Sequence, residues 1–122
     1  MGVGQRKKIQ IVVKGEQEGA DGIEPVYTLV KQLWAEVSDV SIGNSFNGQQ
    51  SAVIRTYQFL IDYDSTLGLD YEQIIEYVNY QFLIKSIERG DRLSAKNKYG
   101  YRFIENQEGA YIRITGESES YG

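Results

Sequence analysis

Residues 53–63, VIRTYQFLIDY, decide the fold. Tyr57, Phe59, Ile61 and Tyr63 alternate with Thr56, Gln58 and Asp62, and Leu60 is the one apolar interruption. Successive side chains of a strand point to opposite faces, so a period of two describes a β-strand with one buried and one partly wet face. Aromatic and β-branched residues also suit a pleated, half-buried surface.

Upstream of this strand, residues 9–14 (IQIVVK) read as a first strand, followed by a polar, acidic loop from Gly15 to Gly22. Residues 24–37 admit two readings. Val26, Leu29, Val30, Leu33, Trp34 and Val37 fall at the spacing of an amphipathic helix, with Pro25 suited to its first turn. Trp34 to Ser38 can equally begin a strand. The expectation is a short helical turn up to about Gln32, then a strand from Leu33 to Val40. Residues 41–52 (SIGNSFNGQQSA) are turn-rich and read as a loop, with Phe46 pinning it or exposed for contact.

Downstream, residues 64–71 form a loop. Residues 73–88 read as a hairpin turning at Val78-Asn79-Tyr80, since asparagine tolerates a left-handed backbone. A single helix from Asp70 to Ser86 competes, but β-branched and aromatic residues crowd the stretch. Residues 89–98 (RGDRLSAKNK) read as a basic loop and Arg89-Gly90-Asp91 as a turn. Tyr99–Glu105 and Ala110–Thr115 form a further hairpin about the turn Asn106–Gly109. The acidic tail, 116–122, is expected to fray. The result is an all-β chain: one domain, 1–122, built as a small β-barrel or sandwich of five to seven strands with one short helical turn.

Composition narrows the chemistry. The chain has 122 residues, 41% of them hydrophobic, enough for a modest core without staples. It contains no cysteine and no histidine. Disulfides, thiolate nucleophiles, His-based acid–base chemistry and Cys- or His-ligated metals are therefore excluded. No apolar run approaches the roughly 18 residues of a membrane helix. MGVGQRKK at the start lacks the apolar core of a signal peptide. No glycine-rich phosphate loop occurs, so neither a cofactor nor a catalytic residue is assigned. Asp62, Asp64 and Asp70 are the densest carboxylates. They could build a cation site or a glycosidase-like pair, but acids at a strand end more simply keep an edge from pairing.

Charge is unevenly placed on a net of −4. Arg6, Lys7, Lys8 and Lys14 make the start basic, residues 15–84 are strongly acidic, and Lys85 to Arg102 is basic again. Net acidity argues against general nucleic-acid binding, although Lys96, Lys98, Tyr99, Tyr101 and Arg102 interleave charge with aromatic rings that could stack bases. A small-barrel nucleic-acid or adaptor module is therefore the alternative reading. Two basic segments on an acidic body fit charge-matched protein contacts better, with solvated loops as the plain account. Ten tyrosines suit either a lined core or a contact surface.

The order of features resembles the SPP1-type head–tail adaptor, or head-closure, family of tailed phages. The residues that carry the resemblance are the opening strand Lys8-Ile9-Gln10-Ile11, the glycine-bearing loop at Asp21-Gly22, and Trp34-Ala35-Glu36-Val37. Phe59-Leu60-Ile61-Asp62-Tyr63, the hairpin from Ile75 to Ile87 and the closing strand Tyr111-Ile112-Arg113-Ile114-Thr115 complete it. The chain departs from the family where the hairpin glycine is Asn79 or Tyr80, where Asp62 replaces a basic residue, and in a longer stretch at 89–109. The resemblance implies a non-enzymatic virion protein of the neck, assembled in the host cytoplasm as a homo-oligomeric ring. Its partners would be the portal or a neighbouring connector protein and the tail-completion protein. The candidate contact residues are Phe46, Asn47 and Gln49 in one loop and Arg89, Arg92, Lys96 and Lys98 in the other.

Overall fold

The computed structural model of the chain describes residues 6–47, 50–92 and 102–121. Seven strands follow in chain order: β1 Arg6–Gly19, β2 Gly22–Asn47, β3 Gln50–Asp62, β4 Gln73–Tyr77, β5 Tyr80–Arg92, β6 Phe103–Glu105 and β7 Tyr111–Tyr121. All pairings are antiparallel, in the order β4-β1-β2-β3-β7-β5-β6. A further pairing joins β4, at one end of the order, to β5, next to the other end, so the sheet folds over its own inner face.

The decisive stretch becomes β3, between β2 and β7. Phe59 and Ile61 are buried, as the period of two requires, while Tyr57 is half-buried and Tyr63 exposed. Leu60, the apolar interruption, lies on the other face in register with Glu36 and Arg113 and is half-buried there. The inner face is filled from six strands: Ile9 and Ile11 of β1, Ala35 of β2, Phe59 and Ile61 of β3, Ile75 of β4, Phe82 and Ile84 of β5, and Ile112 and Ile114 of β7. Leu67, from the loop after β3, joins them. Phe59 meets Phe82 edge to face at 5.3 Å between centroids, and Tyr57 lies 4.9 Å from Phe82. Such ring pairs add about 0.5–1.5 kcal/mol to the area they bury. They close up over Gly116, where a β-carbon would come within 2.9 Å of Phe82 Cβ.

Several expectations are corrected. The short helical turn over 24–32 does not form. Those residues belong to β2 and pair with β1, Leu29 opposite Val12 and Val26 opposite Gly15. The helical spacing is real, but pairing along the whole of β1 overrides it, and Val30 is taken up as a bulge. Pro25 is tolerated because β3 pairs with β2 only from Glu36 onward, leaving this part of β2 on an edge. The loop Gly15–Gly22 is instead the closed end of the β1–β2 hairpin, turning at Ala20-Asp21 with Gly22 at φ 114°. The loop 41–52 is likewise mostly hairpin, with Phe46 opposite Ser51 and Asn47 opposite Gln50.

The hairpin at 73–88 forms as β4 and β5, but the positive φ falls on Val78 (57°), not on Asn79. Arg89-Gly90-Asp91, expected as a turn opening a basic loop, instead continues β5 to Arg92, and residues 93–98 of that expected loop lie outside the described residues. The stretch Gly116–Tyr121, expected to fray, is the second half of β7 and pairs with β3 as far as Tyr121 opposite Ala52. Its small residues read as a tail in isolation. In the sheet they fit between the neighbouring strands, with Gly116 and Ser118 buried.

Candidate functional site

The carboxylates that could have carried catalysis are each committed to holding the fold. Asp62, at the end of β3, accepts two hydrogen bonds from the Arg6 guanidinium at 2.9 and 3.0 Å. Those bonds hold its carboxyl below the usual aspartate range, against a smaller opposing effect of burial. Asp64 accepts from the Thr66 hydroxyl (2.7 Å), the Thr66 backbone N–H (2.9 Å) and Lys31 Nζ (3.0 Å), and these hold it well below that range. Asp70 accepts from the Glu72 backbone N–H at 2.9 Å, closing a turn before β4. A general acid needs a proton near neutral pH, and Asp62 and Asp64 are tuned the other way. Among the described residues no group of three acids is arranged to hold a metal ion.

The Arg89-Gly90-Asp91 segment acts as a latch between β5 and the turn leading into β7. Arg89 lies 3.5 Å from the centroid of the Tyr63 ring, and its Nε donates to the Gly109 carbonyl at 2.6 Å. The two Asp91 oxygens accept from the Ala110 backbone N–H (2.8 Å) and from Asn106 Nδ2 (3.1 Å). Arg92, three residues on, pairs with Glu36 of β2 and lies over Tyr111. Arg113 of β7 pairs with Glu88 at 2.8 Å and lies over Phe103. The outer surface of the sheet thus carries Arg92 and Arg113, each paired with an acid and lying over a ring.

Of the seven candidate contact residues, Arg89 and Arg92 share β5, both half-buried. Phe46 and Asn47 stand at the far end of the β2–β3 hairpin. Gln49, Lys96 and Lys98 lie outside the described residues, as do Tyr99 and Tyr101 of the base-stacking alternative. Arg102, the described member of that set, is exposed.

The sequence reading missed another surface. Beyond Val13, β1 has no strand beside it except β2 among the described residues, because β4 reaches only from Gln10 to Val13. The paired segments from Lys14 to Gly19 and Gly22 to Thr28 therefore stand out from the body as a two-stranded ribbon, exposed at nearly every position. Ile23, Pro25, Tyr27 and Leu29 alternate along one face of it, with Ile23 70% and Leu29 51% exposed. That period of two was present in the sequence, but the overlapping helical spacing from Val26 to Val37 obscured it.

No family model matches the chain. No curated protein matches it either. Among solved structures, it is similar to a chain from the virion of a native gene transfer agent particle, with a TM-score of 0.56 and 14% identity. The likeness covers 95% of this chain and 96% of that one. No helix among the described residues is long and apolar enough to cross a membrane. The chain is an all-β protein that shares its fold, over nearly its whole length, with a chain of that virion.

Proposed function

We propose that the chain is a structural component of a phage-like virion, joining the capsid portal to the tail as a ring of copies held by protein–protein contacts. The observation that carries this reading is the end-to-end match with a chain of a gene transfer agent virion, in which neither chain has a large unmatched part. The sequence resemblance to head–tail adaptors supports it independently. The commitment of Asp62, Asp64 and Asp70 to local bonds supports work by surfaces rather than by chemistry. In this reading the portal or a connector protein and the tail-completion protein are the neighbours. The β2–β3 hairpin end at Phe46 and Asn47, with Gln49 close by in sequence, and the basic stretch from Arg89 to Lys98 are the contact regions.

The test is deletion of the gene from its source genome, followed by electron microscopy of the particles produced. Filled or leaking heads without tails, rescued by the gene supplied in trans, are the expected result. Normally tailed particles would rule out a joining role. Co-purification with the portal encoded in the same genome would then identify the neighbour.

A further inference from the structure

The exposed face of the β1–β2 pair is chemically polarised along its length. Alternation and register place Lys8, Gln10, Val12, Lys14, Glu16 and Glu18 of β1 on one face, with Val12 buried among them. Opposite them stand Trp34, Gln32, Tyr27, Pro25 and Ile23 of β2, with Leu29 before the bulge. One end is cationic and aromatic. Trp34 is 57% exposed, and Lys8 Nζ lies 5.6 Å from its ring centroid. Among the described residues Lys8 has no ion pair, unlike Arg6, Arg92 and Arg113. The middle carries exposed Tyr27 and Leu29, with Lys14 in register with Tyr27 and buried Val12 with Leu29. The far end is acidic, with exposed Glu16 and Glu18, and Asp21 at the turn.

We infer that this strip binds a second copy of itself, face to face and antiparallel about a two-fold axis. A strip positive at one end and negative at the other is complementary to its own reversed image, which is the condition for an isologous contact. Centred near Val13, the reversed register sets Lys8 of each copy opposite Glu18 of the other, Gln10 opposite Glu16 and, beside the axis, Val12 opposite Lys14. Trp34 then covers Ile23, and Leu29 covers Tyr27, so the exposed apolar side chains of the strip pair at both ends and in the middle. The right-handed twist of a two-stranded ribbon makes the two strips wrap around each other rather than lie flat. A second copy also gives the ribbon the further layer that an isolated hairpin lacks.

The contact is small. From Lys8 to Glu18 the strip is about 35 Å long and two strands, roughly 10 Å, wide. Its flat area per copy is well under the ~800 Å² per partner of a standard interface. Association is therefore weak, concentration-dependent and sensitive to salt. The inference uses only this chain's surfaces and stands whether or not the chain belongs to a virion.

The absence of cysteine makes the test direct. Ile23→Cys and Trp34→Cys lie about 35 Å apart along the strand within one copy, far beyond disulfide reach. Mixed and mildly oxidised at high concentration, the two single variants should give a cross-linked dimer, and each alone should not. The double variant should stop at a doubly bridged dimer. A ladder of higher species would mean a head-to-tail contact and overturn the two-fold arrangement, and no mixed product would overturn the contact itself. In sedimentation equilibrium, Lys8→Glu and Glu18→Lys should each weaken self-association, since each sets like charges opposite one another at both ends. Their mixture restores opposite charges at both ends and should associate about tenfold more tightly than either alone. Equal association of all three samples would also overturn the proposal.

Discussion

Gly109 lies so close to Gly90 that a β-carbon on Gly109 would fall within 2.1 Å of the Gly90 backbone. Around that contact Arg89 donates to the Gly109 carbonyl, and Asp91 accepts from the next residue, Ala110. Backbone cannot yield as the end of a flexible side chain can, so Gly109→Ala is expected to destabilise the fold by about 2–3 kcal/mol, the upper range for overpacking. Urea unfolding followed by tryptophan fluorescence checks this. A loss under half a kilocalorie would mean that β5 and the turn can separate freely.

Val78 should show the opposite sign. It holds a left-handed backbone with a β-branched side chain, a conformation that costs of the order of 1 kcal/mol or more. Its side chain is largely exposed, so little packing is lost on truncation. Val78→Gly is expected to stabilise the protein by about 0.5–1 kcal/mol, the relief of strain outweighing the added freedom of the unfolded chain. Thermal melts of the two proteins at one concentration decide it.

Acid should weaken the fold through Asp62 and Asp64. Both carboxyls are held below their ordinary range by hydrogen bonds, from Arg6 and from Thr66 with Lys31 respectively. A carboxyl with a depressed folded-state pKa binds fewer protons folded than unfolded. Its stabilisation is fully present above the unfolded value of about 3.9 and is lost as pH falls from there through the folded value. Asp64→Asn is therefore expected to flatten the stability–pH curve below about pH 4 while changing its slope little between pH 6 and 8. Unfolding midpoints at a series of pH values provide the check. An unchanged acid limb would overturn the depressed folded-state value of Asp64.

The aromatic cluster is the most sensitive part of the core. Phe82 is fully buried and meets both Phe59 and Tyr57. Phe82→Ala is expected to cost about 3–5 kcal/mol, and Phe82→Leu clearly less, because the smaller change leaves a smaller cavity. Chemical denaturation of the two variants tests the order as well as the size of the losses.

These residues also show what a lone sequence can reveal. Phe59 and Ile61 were legible as core because strand alternation is local and survives without knowledge of the neighbours. The hairpin of Ile75 and Phe82 was legible for the same reason, although the left-handed residue was misplaced by one: the preference of asparagine lost to the register fixed by the strand pairs. The segment from Ile23 to Leu29 was misread because its apolar residues satisfy two periods at once. The choice between them is made by β1, which lies far enough away in sequence that no local window contains both. The latch at Arg89 and Asp91 was illegible for a related reason. Its partners, Tyr63, Asn106, Gly109 and Ala110, come from two other places in the chain. The carboxylates were visible as a cluster, but Arg6, which occupies Asp62, stands 56 positions away.

β7 is the last strand in chain order, yet it lies between β3 and β5. A ribosome delivers β1, β2 and β3 first, and these can pair as a meander at once. The far edge of β3, from Ala52 to Asp62, then stays unpaired until β7 emerges. For that interval the nascent chain displays a long, apolar strand edge to any other chain that carries one. Folding is thus governed by a late, non-local step, and crowded synthesis should favour mispairing between nascent chains over a correct but delayed closure.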